Sequence, residues 1–382
     1  MERSFFDVFN NLDDPRNKKG LKYPLTDVII LAIYGILCGY TDFVNMAYYL
    51  KKRENELIES LGLSNGVPSH DVFSDVFRAI DVEKFMSAFV EWTRIIAKER
   101  TGKHIAIDGK AVRAATEKCK GGNIPYVVSA FLCGSGLSIG QKEVGEKTNE
   151  ITEIPRLLDL LDIRGSIITI DAIGTQTDIM NIIVKNGGDF CLQLKGNQKT
   201  TYENVKLLFH DMKQNEPDRF NELPCFEEKV KDHGRIETRK YIVFDDPGEI
   251  RHVIPESWDK VKCIGMAILV RGKGDTKSTE IHFHVMSKVV GAEEYGSLAR
   301  GHWAIENSLH WVLDIHFCED RSTARADNAI SNLTLLRKIA LNMTKLDPEM
   351  AKKTTKKRMI DFMTDIEVFK RLIFEILPER DA

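Results

Sequence analysis

Apolar residues recur at helical spacing through the first ninety-five or so positions of the chain. Val72, Phe73, Val76, Phe77 and Ile80, following Pro68-Ser69, predict an amphipathic helix with Ser69 as its N-cap. Glu54 to Leu63 forms a shorter helical pattern that ends at Ser64-Asn65-Gly66. The pair has two readings: a helix-turn-helix that presents Ser69, His70 and Asp71 to DNA, or two members of a helical bundle, which is the commoner outcome of such a pattern. From His104 the texture changes to short apolar runs between helical stretches, the signature of an α/β domain. HIAIDG, YVVSAFLC and LSIGQKEV read as three consecutive strands, and NEITEIPRLLDLLD as a helix. SIITIDA reads as a fourth strand, TDIMNIIVKNG as a helix ended by Gly187-Gly188, and DFCLQLK as a fifth strand.

That order, β-β-β-α-β-α-β, is the ribonuclease-H-like arrangement. After Lys195 about a hundred residues interrupt it with the β-rich stretches IETRKYIVF, KCIGMAILVRG and EIHFHVMSK, read as an insertion at about 200–290. Helix returns over 292–315 and again over 327–344. The expected architecture is therefore an N-terminal helical domain (1–95) and an α/β catalytic domain (96–382) that carries the β-rich insertion.

Composition narrows the class. The 382 residues are 43% apolar and 8% aromatic, ordinary for a globular chain of two or three domains. With 54 Lys plus Arg against 57 Asp plus Glu, the formal charge is −3, so a polyanion partner must be met by local patches. The seven cysteines (38, 119, 133, 191, 225, 263 and 318) are scattered, with no C-x-x-C pair, as expected of reduced thiols in the cytoplasm. The longest apolar run, Val28 to Tyr40, has 13 residues, too few to span a bilayer, and reads as a buried helix.

The chemistry gathers on three carboxylates. Asp108 ends the strand IAID and Asp171 ends IITID, at the strand termini where α/β sheets place their ligands. Closing an apolar strand with a carboxylate is costly unless the group is paired, hydrogen-bonded or metal-bound; the bland alternative for either residue is a cap on the next turn. The third is Glu306, on a helix that also carries His302, His310 and Asp314 at steps of four, flanked by Trp303 and Trp311. Three such carboxylates suit two Mg²⁺ or Mn²⁺ ions acting on a phosphodiester. A zinc site on His302, Glu306 and His310 is the rival, weakened because H-E-x-x-H is absent and each four-residue step turns about 40° around a helix.

With these residues in place the sequence resembles the DDE transposases of bacterial insertion sequences, of the H-repeat-associated type. The resemblance spans nearly the whole chain: DPRNKKGLKYPLTDVIILAIYGILCG, GVPSHDVFSDVF, IAIDGKAVR, KTNEITEIPRLLDLL, IITIDAIGTQ, QLKGNQK, HGRIETR and HWAIENSLHWVLDIHFCEDR. It implies a ribonuclease-H-like core and makes Asp108, Asp171 and Glu306 the catalytic metal ligands. It also implies metal-dependent DNA strand cleavage and strand transfer at the element's ends, with terminal inverted repeats and target DNA as partners. A homo-oligomer on DNA and a bacterial cytoplasmic location go with it. Related cut-and-paste enzymes set the Glu in a Tyr-x2-Arg-x3-Glu-x6-Lys frame; here those places hold Ala299, His302 and Leu313. Arg300, Tyr295 and His310 stand nearby for phosphate work.

The neighbouring residues suit DNA handling. Between Arg94 and Lys120 eight Lys or Arg face three acids around Asp108, which puts Lys110 and Arg113 forward as phosphate contacts. Lys195 and Asn197, in KGNQK, offer donors after a strand, or form a solvated turn. Arg235 lies on an expected hairpin of the insertion, and Trp303 either stacks on an unpaired base or anchors its helix. The basic run KKTTKKR (352–358) is a solvated segment or a source of non-specific affinity. Two other functions fit the same residues: a ribonuclease-H-like nuclease that does not transpose, and a retired DNA-binding relic.

Overall fold

The computed structural model describes residues 5–17, 21–97, 104–112, 126–145, 149–232, 235–273, 276–322 and 327–376. Arg113 and much of the basic stretch around it lie outside these residues, as does the side chain of Arg235. In chain order the first elements are α1 (Phe5–Phe9), α2 (Leu25–Leu37), α3 (Phe43–Lys52), α4 (Glu54–Leu61), α5 (His70–Ala79) and α6 (Val82–Ala97). There follow β1 (His104–Ala111), β2 (Tyr126–Leu132), β3 (Leu137–Val144), α7 (Glu150–Leu160), β4 (Ile167–Ile170), α8 (Thr177–Lys185) and β5 (Asp189–Leu194). The insertion adds α9 (Lys199–Asn215), α10 (Pro217–Glu222), β6 (Cys225–Asp232), β7 (Arg235–Phe244), α11 (Pro247–Val253), β8 (Cys263–Lys273) and β9 (Thr276–Met286). The chain closes with α12 (Ala292–Gly301), α13 (Trp303–Ile305), a π-helical turn (Glu306–His310), α14 (Trp311–Ile315), α15 (Asp327–Leu346), α16 (Pro348–Ala351), α17 (Thr355–Thr364) and α18 (Ile366–Arg371).

Contacts divide the molecule into two compact units, one of residues 1–101, 109–147 and 306–382, the other of 102–108 and 148–305. The N-terminal helices thus share a unit with the β2–β3 hairpin and the C-terminal helices. Strand β1 starts in the second unit and finishes in the first.

In the first unit the long helix α15 is the hub, packed by α2, α5, α6 and β3. The apolar run from Val28 lies in helix α2 as far as Leu37, where the helix ends, and α2 is buried along nearly its whole length. Polar side chains of α15 tie its neighbours down: Asn332 donates from Nδ2 to the carbonyls of Phe77 and Ile80, the open end of α5. Asn342 brackets Ser138 of β3, accepting from its N–H and donating to its C=O. Helix α5 sends Phe73, Val76 and Phe77 inward while His70 and Asp71 are exposed, and Ser69 starts the helix without a side-chain cap bond. In KKTTKKR, Arg358 is buried against Thr344 and the Ala351 carbonyl, and Lys353 pairs with Asp361. That segment is in part structural.

The second unit is built on a large mixed sheet in the order β1-β4-β5-β9-β8-β7-β6. The first three strands are parallel and the rest antiparallel. Strand β4, the Ile105–Ile107 part of β1 and most of β5 are buried runs, the sequence habit of parallel strands covered on both faces. Two elements of the insertion differ from expectation. Helix α9 is largely polar, and its inward stripe of Thr201, Val205, Phe209 and Met212 anchors it by stacking Phe209 on Phe283. Strand β6 is an edge strand rich in charge, which hides its alternation. No helix among the described residues is long and apolar enough to cross a membrane.

Candidate active site

Register fixes the two aspartates in the second unit. Ile107 of β1 pairs with Ile170 of β4, so Asp108 and Asp171 follow side by side on parallel strands, about 5 Å apart along the sheet. Alternation puts them on the face that also carries His104, Ala106, Ile167 and Thr169. Helix α12 covers that face, packing Tyr295 and Leu298 among Ile167, Cys191, Tyr241, Cys263 and Met286. Its last residue, Gly301, approaches so closely that a Cβ there would lie 2.7 Å from the His104 ring.

Asp171 also does the local work weighed for it from sequence. Its Oδ1 accepts from Ile173 N–H at 3.1 Å and caps the short turn Ala172–Gly174. That turn folds back onto its own strand: a Cβ on Gly174 would stand 2.3 Å from Ile170 Cγ2. Asn197 braces the same turn, donating to the Ala172 carbonyl at 2.5 Å, while Gln198 donates to the Thr175 carbonyl at 2.7 Å. Lys195 is exposed beside them.

One step behind the aspartates, Thr169 Oγ1 lies 2.8 Å from His104 Nε2 and 3.2 Å from His302 Nδ1. Burial, aided by His302, depresses His104 to about 4, so the His104 ring is a neutral hydrogen-bonding group at neutral pH. His302 is thereby engaged with the β4 strand. Tyr295 is fully buried, its hydroxyl 2.8 Å from His284 Nδ1, and does not face solvent where a phosphate would approach. Arg300 is exposed and reaches Glu228 at 3.4 Å, and Trp303 is 62% exposed rather than a core anchor.

The expected single helix over 292–315 is interrupted where the first unit resumes, and Glu306 opens the π-helical turn, a wide turn that often marks functional positions. Glu306 is exposed; His310, its partner four residues on, is buried, with Nδ1 3.0 Å from Glu306 Oε2. That bond, with the charges of His310 and Lys110, holds the Glu306 carboxyl below the usual range.

Lys110 is not a free cation. Its Nζ pairs with Asp314 of α14 and, at 2.7 Å, with Glu319, and the side chain is 13% exposed. Glu319 is 1% exposed, in a site where burial would raise its pKa but the charges of Lys110, Arg337 and Lys338 hold it below the ordinary value. Arg337 and Lys338 are themselves buried on α15, and Lys338 donates to Ser129 Oγ at 2.7 Å and Gln141 Oε1 at 2.6 Å. Sequence reasoning singled out none of these three. The signal was there: two adjacent cations inside the apolar run TLLRKIAL, which must find buried partners.

Known proteins carry the same pattern. A family model described as a transposase DDE domain matches residues 99–343, and a DDE_Tnp_1-associated model matches residues 6–93. The "Putative transposase YncI" of Escherichia coli O157:H7 is 33% identical over 353 residues, covering 89% of this chain and 87% of the relative. The "H repeat-associated putative transposase YhhI" of Escherichia coli (strain K12) is 33% identical over 337 residues, 87% of this chain and 88% of the relative. A piggyBac transposase, solved as a synaptic complex with hairpin DNA, aligns over 98% of this chain and 85% of that one at 12% identity and a TM-score of 0.41, too slight a likeness to bear on the fold. The two family models together span nearly the whole chain, and the curated relatives match it over most of their own length, so the chain belongs to the DDE transposase family, in its H-repeat-associated type.

Proposed function

We propose that this transposase has a ribonuclease-H-like core and catalyses metal-dependent strand cleavage and strand transfer at the ends of its own insertion sequence. Asp108, Asp171 and Glu306 are the ligands of two Mg²⁺ or Mn²⁺ ions in this reading. The observation that carries it is the pair of aspartates set side by side where the parallel pairing of β1 and β4 ends, Asp108 within β1 and Asp171 just past β4. The donor set fits: carboxylate oxygens are the ligands hard divalent cations select, and the DDE family implies divalent metal use. The strand order read from the sequence and the parallel β1-β4-β5 core support the fold assignment.

Bound there, divalent ions supply charge stabilisation for an in-line phosphodiester displacement and a nucleophilic water or 3′-hydroxyl at neutral pH. The chain's own residues do the rest. The Ile173 N–H and the Asn197 brace hold one Asp171 oxygen and its turn in place, leaving the other oxygen for a ligand. His310 fixes one Glu306 oxygen in the same way. Lys195, Arg300 and Trp303, all exposed, meet a DNA backbone or an unpaired base in this reading, together with Arg113 and Arg235. DNA ends and target DNA are the partners, met by an oligomer that pairs two ends.

The test is cleavage of a labelled duplex carrying the gene's own flanking DNA, with Mg²⁺, Mn²⁺ or chelator, comparing wild type with Asp171→Asn. Metal-dependent cuts at defined flanking positions, absent in the variant, are expected. Cutting at every sequence would replace the reading with a general nuclease, and end binding without cutting with a catalytically retired relic.

A further inference from the structure

We infer that Lys110, Asp314 and Glu319 form a buried ionic clamp that positions the carboxylates of the transposase site, with Glu319 as its fixed point. The inference rests on the metal-binding reading of Asp108 and Glu306. Lys110 stands two residues beyond Asp108 on β1, so their side chains share a strand face. Asp314 stands eight residues beyond Glu306, on the helix that continues the Glu306 turn. One ammonium bonded to both Asp314 and Glu319 therefore ties the last residues of β1 to the helix of Glu306, all within the first unit.

Glu319 is buried, and it directly follows a backbone turn of unusual geometry. Cys318 adopts the left-handed conformation (φ 48°, ψ 40°), the one non-glycine residue with positive φ among the described residues. The turn it makes sends the next side chain into the interior. There Lys110 donates to Glu319 Oε2, while Oε1 has no hydrogen-bond partner among the described residues. Arg337 and Lys338 add positive charge behind it, so Glu319 is held where three cations face one carboxylate. With two carboxylates already on Lys110, an incoming phosphate would have to displace Asp314, which argues for alignment rather than DNA contact.

The measurement is Mn²⁺ binding to the purified full chain by electron paramagnetic resonance, alongside thermal unfolding. It covers wild type, Asp108→Asn, Lys110→Met, Glu319→Gln and the double variant Lys110→Met/Glu319→Gln. The clamp predicts that Lys110→Met and Glu319→Gln each weaken Mn²⁺ binding by about 10- to 100-fold. In the double variant, where Lys110 is no longer stranded by the loss of Glu319, melting temperature recovers relative to Glu319→Gln but Mn²⁺ affinity does not. Should a single variant fail to fold, the double variant still carries the test. Wild-type Mn²⁺ affinity in the clamp variants, or recovery of affinity together with stability in the double variant, would overturn the clamp while Asp108→Asn still abolished binding. Undiminished Mn²⁺ binding by Asp108→Asn would overturn the metal reading itself, and the clamp with it.

Discussion

Behind Asp108 and Asp171, in the sheet unit, hydroxyls join the polar groups: His104 and His302 share the Thr169 hydroxyl, His284 meets the Tyr295 hydroxyl, and burial keeps His104 and His284 neutral. Behind Glu306, in the helical unit, they are charged: Lys110, Asp314, Glu319 and Arg337. Neutral hydrogen bonds hold parallel strands that register already aligns, so little extra force is needed. A helix end has no register to fix it, and there the chain uses ion pairs whose strength inside the protein exceeds that of a neutral bond. The stiffer device carries the larger penalty when one member is removed, because the remaining charge is stranded away from water.

That contrast can be broken most sharply at Glu319. Glu319→Gln is expected to cost about 3–5 kcal/mol in urea unfolding, since Lys110 and Arg337 lose their buried counter-charge. A loss below about 1 kcal/mol would mean that the cluster is solvated and no stiffer than its neutral counterpart.

The pH dependence of stability separates the two clusters by sign and window. Burial pushes His104 to about 4 and His284 to about 3, both below the unfolded value of about 6.5. Stability that is full above pH 6.5 is then lost as pH falls toward 4, by roughly 1.4 kcal/mol per pH unit for each histidine, because only the unfolded chain takes up the protons. Lys338 is depressed by burial to about 7, against about 10.4 unfolded. Its contribution is greatest above about pH 10 and diminishes as pH falls to 7, so melting temperature should climb through the alkaline range. Lys338→Met should flatten that climb and leave the acid limb unchanged; a melting curve flat from pH 7 to 10 in the wild type would count against a depressed Lys338.

A smaller effect tests the neutral side. Thr169→Val removes the hydroxyl shared by two imidazoles at nearly constant volume and should cost about 1–3 kcal/mol, measured by thermal unfolding. A loss as large as that of Glu319→Gln would erase the distinction between the clusters. Smallest is Asp171→Asn, whose amide oxygen can still accept from Ile173 N–H; it should change stability by no more than about 0.5 kcal/mol. Asp171→Asn is therefore a clean probe of cleavage, and a marked loss of stability would show that the carboxylate charge itself supports the turn.

Much of the fold was readable along the chain. The strands at Leu137–Val144 and Asp189–Leu194 and the helix at Thr177–Lys185 fall where apolar periodicity and the Gly187 stop put them. Helix α9 was not readable, because its inward positions include Thr201 and its outer face is charged, so the stripe is thin until Phe209 finds Phe283. The helix over 292–315 was expected to run unbroken. Its interruption at Glu306 depends on packing around a buried His310, which has no local sequence signature.

By itself the sequence determined the residue types, the strand and helix periods that put Asp108 on a strand and Asp171 at a strand end, and the motifs that identify the family. These are local, because a two-residue or four-residue period is a property of neighbouring positions. Only the tertiary structure decided what each polar group faces. Lys110 and Asn197 read as donors free for DNA, yet one is held by Asp314 and Glu319 and the other by the Ala172 carbonyl. Tyr295 read as a phosphate contact and lies buried on His284. Those partners are far apart in sequence, and the cost of leaving a buried charge or donor unpaired acts only once folding has brought them together.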